Sequence, residues 1–111
     1  MQVTEEFLQR FEKDRQTAEA DFVYRLLASD PDYVRSGTYF FWDPLAAASL
    51  AVEGIVTFEP KKVRVVVEEG ESSGRTQEAE TGHTVSAGVS ADRQKFESAF
   101  LDTLNGRVHV P

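Results

Sequence analysis

Three features of the sequence predict an α+β fold with helices in the first half, a short antiparallel β-ribbon and a closing helix. Apolar residues recur at helical spacing as far as about residue 50. From residue 55 to residue 89 β-branched residues dominate, as is typical of strands. Helical spacing then returns and stops at Asn105-Gly106, a pair that commonly ends a helix. Ser90 or Asp92 is the expected cap of this last helix.

The first two helical segments cover residues 4–15 and 17–28. Thr4 begins the first segment, where a threonine hydroxyl can accept hydrogen bonds from free backbone N–H groups. In the second segment, four apolar residues at helical spacing predict the buried face: Phe22, Val23, Leu26 and Leu27. The pattern leaves open whether the two segments form one bent helix or two helices.

After residue 28 the helical pattern breaks, and two further helix starts follow. Asp30 is expected to cap a short helical turn that runs to Arg35 and ends at Gly37, and residues 33–39 are the predicted mobile loop. Asp43-Pro44 predicts the next helix, because aspartate is a favoured N-cap and proline suits the first helical position. LAAASLAVEG then predicts a helix that packs closely against another element. Its last residue, Gly54, is the predicted C-cap.

Four short segments are predicted as strands: 55–59, 63–68, 75–80 and 84–89. Pro60 is interpreted as a break between the first two, because proline has no N–H to donate to a ladder. The two strands after this break are expected to form an antiparallel ribbon with a third strand beside it.

Length and charge narrow the classes of function. The chain has 111 residues, so we expect a single domain over 1–111 with a loose tail at 107–111. The net charge of −7 argues against nucleic acid and an anionic membrane surface as partners, because binding to phosphates relies on Lys and Arg. The absence of cysteine excludes disulfides and thiolate chemistry, and we expect a cytoplasmic protein. His83 and His109 are expected to be exposed and inert.

One stretch, Tyr39 to Pro44, carries residues that could bind a metal ion and an organic ligand. The four consecutive aromatic residues either fill a core, with Asp43 only capping a helix, or form part of a pocket. In a pocket Asp43 would be a hard oxygen ligand for a metal, and Trp42, the single tryptophan, would offer a flat apolar face. Such a site would suit a ligand that is part heterocycle and part polyol.

The stretch YFFWDPLAAASL resembles the C-terminal hallmark of the inosine–uridine preferring nucleoside hydrolase family. The context VTEEFLQRF, KVRVVVEEGESSGRT and LNGR is similar to the last third of that family's fold, over residues 3–107. The resemblance implies calcium-dependent cleavage of the N-glycosidic bond of ribonucleosides, with Asp43 as a calcium ligand. Trp42 stands where many members carry a histidine. This is similar to the purine-specific members, in which a tryptophan stacks on the base and a tyrosine, here Tyr39, lies near it. Arg35 would be a contact from the mobile loop.

The family's N-terminal aspartate cluster, DxDxxxDD, has no counterpart in this sequence, and neither does its central parallel sheet. We therefore expect a chain that is inactive alone, and whether it is an enzyme stays open. Two alternatives remain. One is a non-catalytic binding or assembly module that self-associates into a homo-oligomer. The other is one half of a split nucleoside hydrolase, completed by a separate chain with the aspartate cluster.

Overall fold

The computed structural model describes residues 1–107 and confirms the α+β fold. These residues form five helices and three strands: α1 Glu5–Asp14, α2 Ala18–Ala28, α3 Pro31–Arg35, α4 Asp43–Ala51, β1 Val56–Val65, β2 Thr76–Glu78, β3 His83–Ala91 and α5 Arg93–Leu104. Their contacts define two compact units, one of residues 1–55 and 91–107, and one of residues 56–90. No helix within residues 1–107 combines the length and the hydropathy that a membrane span requires. His109 lies outside the described residues.

Helices α1 and α2 are two separate helices, each begun by a threonine. The hydroxyl of Thr4 accepts a hydrogen bond from the N–H of Phe7 at 3.1 Å, and that of Thr17 accepts one from the N–H of Ala20 at 3.1 Å. Arg15, between the helices, has an extended backbone. Local capping chemistry therefore decides the question that the apolar pattern left open.

The predicted buried face of α2 is wrong for two of its four residues. Phe22 and Leu26 are both more than half exposed, whereas Leu27 is buried. Positions 20, 24 and 27 lie on one side of an α-helix, and 22 and 26 lie on another. The first side is the one that packs, because Tyr24 places its ring 5.7 Å from that of Phe11 in α1.

Five phenylalanines form the centre of the first unit. They come from α1, from the segment before α4 and from α5, and neighbouring ring centroids lie between 5.1 and 6.0 Å apart: Phe7, Phe11, Phe41, Phe96 and Phe100. All seven of these ring pairs are tilted or edge-on, away from the face-to-face sandwich that the aromatic quadrupole disfavours. This cluster fixes the position of the segment that leads into α4.

Both ends of α5 are held by side-chain hydrogen bonds. The carboxylate of Asp92 accepts a hydrogen bond from the N–H of Lys95 at 3.0 Å, which selects Asp92 over Ser90 as the cap. At the other end, the buried Asn105 side chain accepts from the N–H of Gln16 at 2.7 Å and donates to the carbonyl of Leu101 at 2.9 Å. Asn105 therefore ties the end of α5 to the linker between α1 and α2.

An ion-pair cluster fastens Arg107, the first residue of the predicted loose tail. Its guanidinium contacts both carboxylate oxygens of Asp14, with the Nη1–Oδ1 distance at 3.0 Å, and its Nε donates to Asp102 at 2.8 Å. The hydrogen bonds from Arg107 to Asp14, and the positive charges of Arg107 and Arg10, hold the pKa of the Asp14 carboxyl below its usual value. The prediction of a loose tail therefore does not extend to Arg107.

The lowered pKa of Asp14 makes a contribution to stability that depends on pH. A group with a lowered folded-state pKa stabilises the fold above its unfolded pKa, about 3.9 for aspartate, and loses that effect as the pH falls through the folded value. We expect the difference in unfolding free energy between wild type and Arg107→Gln to be full above about pH 4 and to shrink below it. Urea denaturation from pH 7 to pH 2.5 measures the difference. Arg35→Gln, which removes two exposed ion pairs, is the control. A difference in unfolding free energy between wild type and Arg107→Gln that stays constant with pH would contradict the assignment.

The second unit is a three-stranded antiparallel sheet in the order β2-β1-β3. The pairing of β1 with β2, through Val63↔Glu78 and Val65↔Thr76, confirms the antiparallel ribbon. The predicted break at Pro60 is wrong, because β1 continues through it. Pro60 lies outside the part of β1 that pairs with β2. Its missing N–H therefore costs no hydrogen bond between these two strands.

Candidate functional site

The aromatic stretch before α4 is extended and pairs with the amino terminus. The N–H of Val3 donates to the carbonyl of Tyr39 at 2.8 Å, and the N–H of Phe41 donates to the carbonyl of Met1 at 2.7 Å. Successive side chains of an extended segment point to opposite sides. Phe41 therefore enters the phenylalanine cluster, while its two neighbours in sequence face away from it.

Those two neighbours, Phe40 and Trp42, form a surface that we name the aromatic shelf. Their rings are nearly parallel, at an interplanar angle of 13° and a centroid distance of 6.0 Å. Phe40 is 40% exposed and Trp42 is 72% exposed. The interpretation that these aromatics fill a core thus holds for Phe41 and not for the shelf. Sequence reasoning missed Phe40 as the partner of Trp42, although the i, i+2 spacing of an extended segment indicates it.

Asp43 follows the shelf and is exposed, but it is not the N-cap of α4. Trp42 occupies the cap position with a helical backbone (φ −80°, ψ −62°), and Asp43 is the first residue of the helix. The predicted N-cap is therefore wrong, because a capping side chain requires an extended backbone at its own residue. Within the described chain the Asp43 carboxylate has no hydrogen-bond or ion-pair partner. Its oxygens are uncommitted.

The residues around Asp43 do not form a complete metal site. Calcium takes six to eight oxygen ligands, and one carboxylate supplies at most two. Across residues 1–107, no group of three or more His, Asp or Glu side chains is placed to hold a metal ion. Any calcium at Asp43 therefore requires ligands from beyond these residues.

Tyr39, the predicted neighbour of the base, belongs to a different aromatic pair. Its ring stacks on that of Tyr33 at 4.7 Å and 16°, and Tyr39 is half-buried. Tyr33 lies in α3, so the first part of the predicted loop is helical. The sequence did not identify Tyr33 as the stacking partner of Tyr39, and the role of Tyr39 near a base stays a prediction.

Arg35 is held by two carboxylates on the surface. Its Nε lies 3.0 Å from Glu5 and its Nη1 lies 3.0 Å from Asp32, and all three side chains are exposed. A contact between Arg35 and a substrate would have to compete with both pairs. Among the described residues, the ring partner of Tyr39 is Tyr33 and the ion-pair partners of Arg35 are Glu5 and Asp32, so none of these contacts involves Trp42 or Asp43, which are neighbours in sequence.

Helix α4 leaves an apolar cleft beside α5. The two helices pack together, yet no residue of α4 is buried, and Leu50 is 91% exposed. The prediction of close packing for the alanine-rich segment is thus met only in part. A cavity of about 290 Å³ remains between the helices, lined by small and apolar side chains that include Ala48, Ala51, Ala99 and Leu104.

The predicted C-cap of α4 at Gly54 is wrong. The helix ends at Ala51, and the N–H of Val52 donates to the carbonyl of Ala48 at 2.9 Å. Val52 leaves the helix with an extended backbone, and its side chain lines the cleft beside α5. Gly54 adopts a positive φ of 81° only after the helix has ended.

Comparison with solved structures identifies the architecture. An inosine–uridine preferring nucleoside hydrolase from Bacillus anthracis superposes with a TM-score of 0.78 over 96% of this chain, at 24% sequence identity. The chain has the fold of part of a nucleoside hydrolase. It spans about a third of that hydrolase, 33% of its length. No family model and no curated protein matches the sequence. At this identity the likeness shows the nucleoside hydrolase fold alone.

Proposed function

We propose that this chain supplies one wall of a nucleoside hydrolase site that cleaves the N-glycosidic bond of purine ribonucleosides. The observation that carries the proposal is the aromatic shelf directly beside the uncommitted carboxylate of Asp43, in a chain with this fold. Trp42 stacks on the base, and Asp43 contributes one ligand to a calcium ion that would orient the ribose hydroxyls. The remaining ligands come from a polypeptide with the aspartate cluster.

The geometry of the shelf suits this role. Stacking of a nucleobase on one aromatic ring contributes about 1–3 kcal/mol. Phe40 supports one face of Trp42, which limits the orientations of the indole. A stack of this strength corresponds to binding weaker than about 1 mM when nothing else holds the nucleoside. The chain alone is therefore expected to bind nucleoside no better than millimolar. Calcium should also bind no better than millimolar, because one carboxylate supplies too few of the six to eight oxygens that the ion takes. With neither held firmly, the chain alone should hydrolyse neither inosine nor guanosine.

Hydrolysis of inosine and guanosine tests the proposal, with the chain alone and mixed with a polypeptide that carries the DxDxxxDD cluster. We expect no turnover alone and calcium-dependent turnover in the mixture. In the mixture Trp42→Ala should lower kcat/KM by about 5- to 150-fold, the equivalent of one lost stack. Asp43→Ala should abolish turnover, because it removes a metal ligand.

Two matched variants control for general damage to the fold. Phe22→Ala removes an exposed aromatic ring from α2, and Glu53→Ala removes an exposed carboxylate after α4. Both should leave the activity of the mixture unchanged. Metal-dependent turnover by the chain alone, lost in Asp43→Ala, would contradict the incompleteness of the site. A mixture that never turns over would contradict the proposal that this chain contributes to a nucleoside hydrolase site.

A second candidate, a non-catalytic assembly module that self-associates, is favoured by the surface of α4. Leu50 is 91% exposed on a helix with no buried residue, and Phe22 and Leu26 expose further apolar surface on α2. Exposed apolar side chains mark contacts with other polypeptides where they form a contiguous patch. Light scattering that finds only monomer at high concentration would count against this candidate.

A further inference from the structure

The strand β3 has an open edge. In the sheet order β2-β1-β3 it is an outer strand nine residues long, and no residue in the described part of the chain pairs with its far side. The backbone N–H and C=O groups on such an edge can pair with another strand. The sheet also lacks a core of its own, since none of residues 56–90 is buried.

Unlike the part of β1 that extends beyond β2, β3 carries neither charged residues nor proline to prevent strand pairing. Its sequence, HTVSAGVSA, contains no Lys, Arg, Asp, Glu or Pro. The part of β1 that extends beyond β2 contrasts with it, because Glu59, Pro60 and Lys61 stand there. Charges and proline are the usual means by which proteins protect an edge from a second chain. β1 is protected in this way, and β3 is not.

The side chains of β3 divide into two faces. A Cβ atom built on Gly88 would lie 2.9 Å from Val56 and 3.7 Å from Phe58, so Gly88 shares a face with these two residues of β1. Because strand side chains alternate, Val85, Ala87 and Val89 lie on the opposite face. Both valines are exposed. One face of the open strand thus carries an apolar stripe with Ala87 at its centre.

We propose that a second copy of this chain pairs antiparallel with β3 about a two-fold axis at Ala87. In this register Val85 lies opposite Val89 of the second copy, Val89 lies opposite its Val85, and the two Ala87 residues face each other. A slip of one residue would set the valines against serines and turn the stripe to the other face. The inference does not depend on nucleoside binding.

A second copy fits this edge better than an unrelated strand for two reasons. The stripe is self-complementary about its centre, which is the property that a two-fold interface requires. The chain carries a net charge of −7, so two copies repel each other over most of their surfaces, but β3 has no formal charge. Added salt should therefore strengthen the dimer, because it screens that repulsion and leaves the strand contact intact.

Single cysteines test both the partner and the register, since the chain has no cysteine of its own. Opposed residues of an antiparallel pair lie about 4.5–5.5 Å apart at Cα, within disulfide range. Ala87→Cys should form a disulfide dimer with oxidised glutathione. Val85→Cys and Val89→Cys should not do so separately, because identical positions lie about 14 Å apart, but their mixture should.

Val65→Cys is the matched control. It is an exposed valine on the central strand β1, and in the proposed dimer three strand spacings alone separate it from its copy by at least about 14 Å. Ala87→Cys that crosslinks no faster than Val65→Cys would overturn the proposal. A disulfide formed by Val85→Cys with itself would overturn the register at Ala87 and so the proposed interface.

Sedimentation of the chain without cysteine supplies the independent measurement. We expect a dimer that forms with rising concentration and that Ala87→Lys weakens by at least about 10-fold, because like charges would face each other across the axis. Ser72→Lys adds the same charge on an exposed turn and should leave the dimer unchanged. A wild-type chain that stays monomeric to about 1 mM, or a dimer lost in Leu50→Glu but retained in Ala87→Lys, would overturn the proposal.

Discussion

Phe41→Ala is expected to lower the free energy of unfolding by about 3–5 kcal/mol, the largest loss of stability expected for a single substitution in this chain. Phe41 is 5% exposed, and its ring centroid lies 5.7, 5.6 and 5.1 Å from those of Phe7, Phe96 and Phe100. Its removal leaves a cavity that can close only if helices α1 and α5 move toward each other. Urea denaturation at neutral pH measures the loss.

The neighbouring residue gives a matched control for this prediction. Phe40→Ala removes the same side chain one position earlier, where it is 40% exposed and stacks on Trp42. We expect a loss of about 0.5–1.5 kcal/mol, the range for a single aromatic pair. Equal losses for the two variants would mean that the segment does not alternate between core and surface, and the aromatic shelf would not exist as described.

Asn105→Ala is expected to lower the free energy of unfolding by about 1–3 kcal/mol, the cost of a backbone donor left without its acceptor. The Oδ1 atom of Asn105 accepts the N–H of Gln16 at 2.7 Å, and its amide also donates to Leu101 at 2.9 Å. Asn105 is 8% exposed, so water has limited access to replace these bonds. Thermal or urea denaturation detects the change.

Gln16→Ala separates this hydrogen bond from a general effect of mutation where the end of α5 meets the linker between α1 and α2. The bond uses only the backbone of Gln16, whose own side chain is exposed, so this variant should stay within about 0.5 kcal/mol of wild type. Losses of unfolding free energy of similar size in both variants would indicate that the contact between α5 and this linker depends on side-chain packing. A loss in Asn105→Ala alone supports the hydrogen bond as its cause.

Much of the fold was predictable because it depends on neighbours in sequence. Thr4, Asp30 and Asp92 each accept a hydrogen bond from an N–H three residues later, as their residue types and positions indicate. Gly37 ends the turn after α3 with a positive φ of 74°. These interactions close within one helical turn, so no distant part of the chain has to be known.

The candidate site was predictable only as a short stretch. The sequence identified Trp42 and Asp43 as adjacent residues at the start of a helix, and the structure exposes both. The i, i+2 spacing would put Phe40 beside Trp42 only if the segment is extended, and its pairing with the amino terminus near Met1 makes it so. Arg35 was expected at a substrate, and the structure pairs it with Glu5, thirty residues earlier. The substrate and metal roles of these residues stay predictions.

The sequence by itself determined where most helices begin, that a β-ribbon separates them from the last helix, and that a tryptophan precedes an aspartate at a helix start. Only the tertiary structure decided that α2 turns Tyr24 rather than Phe22 toward α1, and that β1 continues through Pro60. It also decided that Arg107 is held by Asp14. The physical reason is the separation in sequence between the residues that interact. A cap is satisfied by atoms within one turn, whereas a buried face, a strand partner or an ion pair depends on residues that only folding brings near.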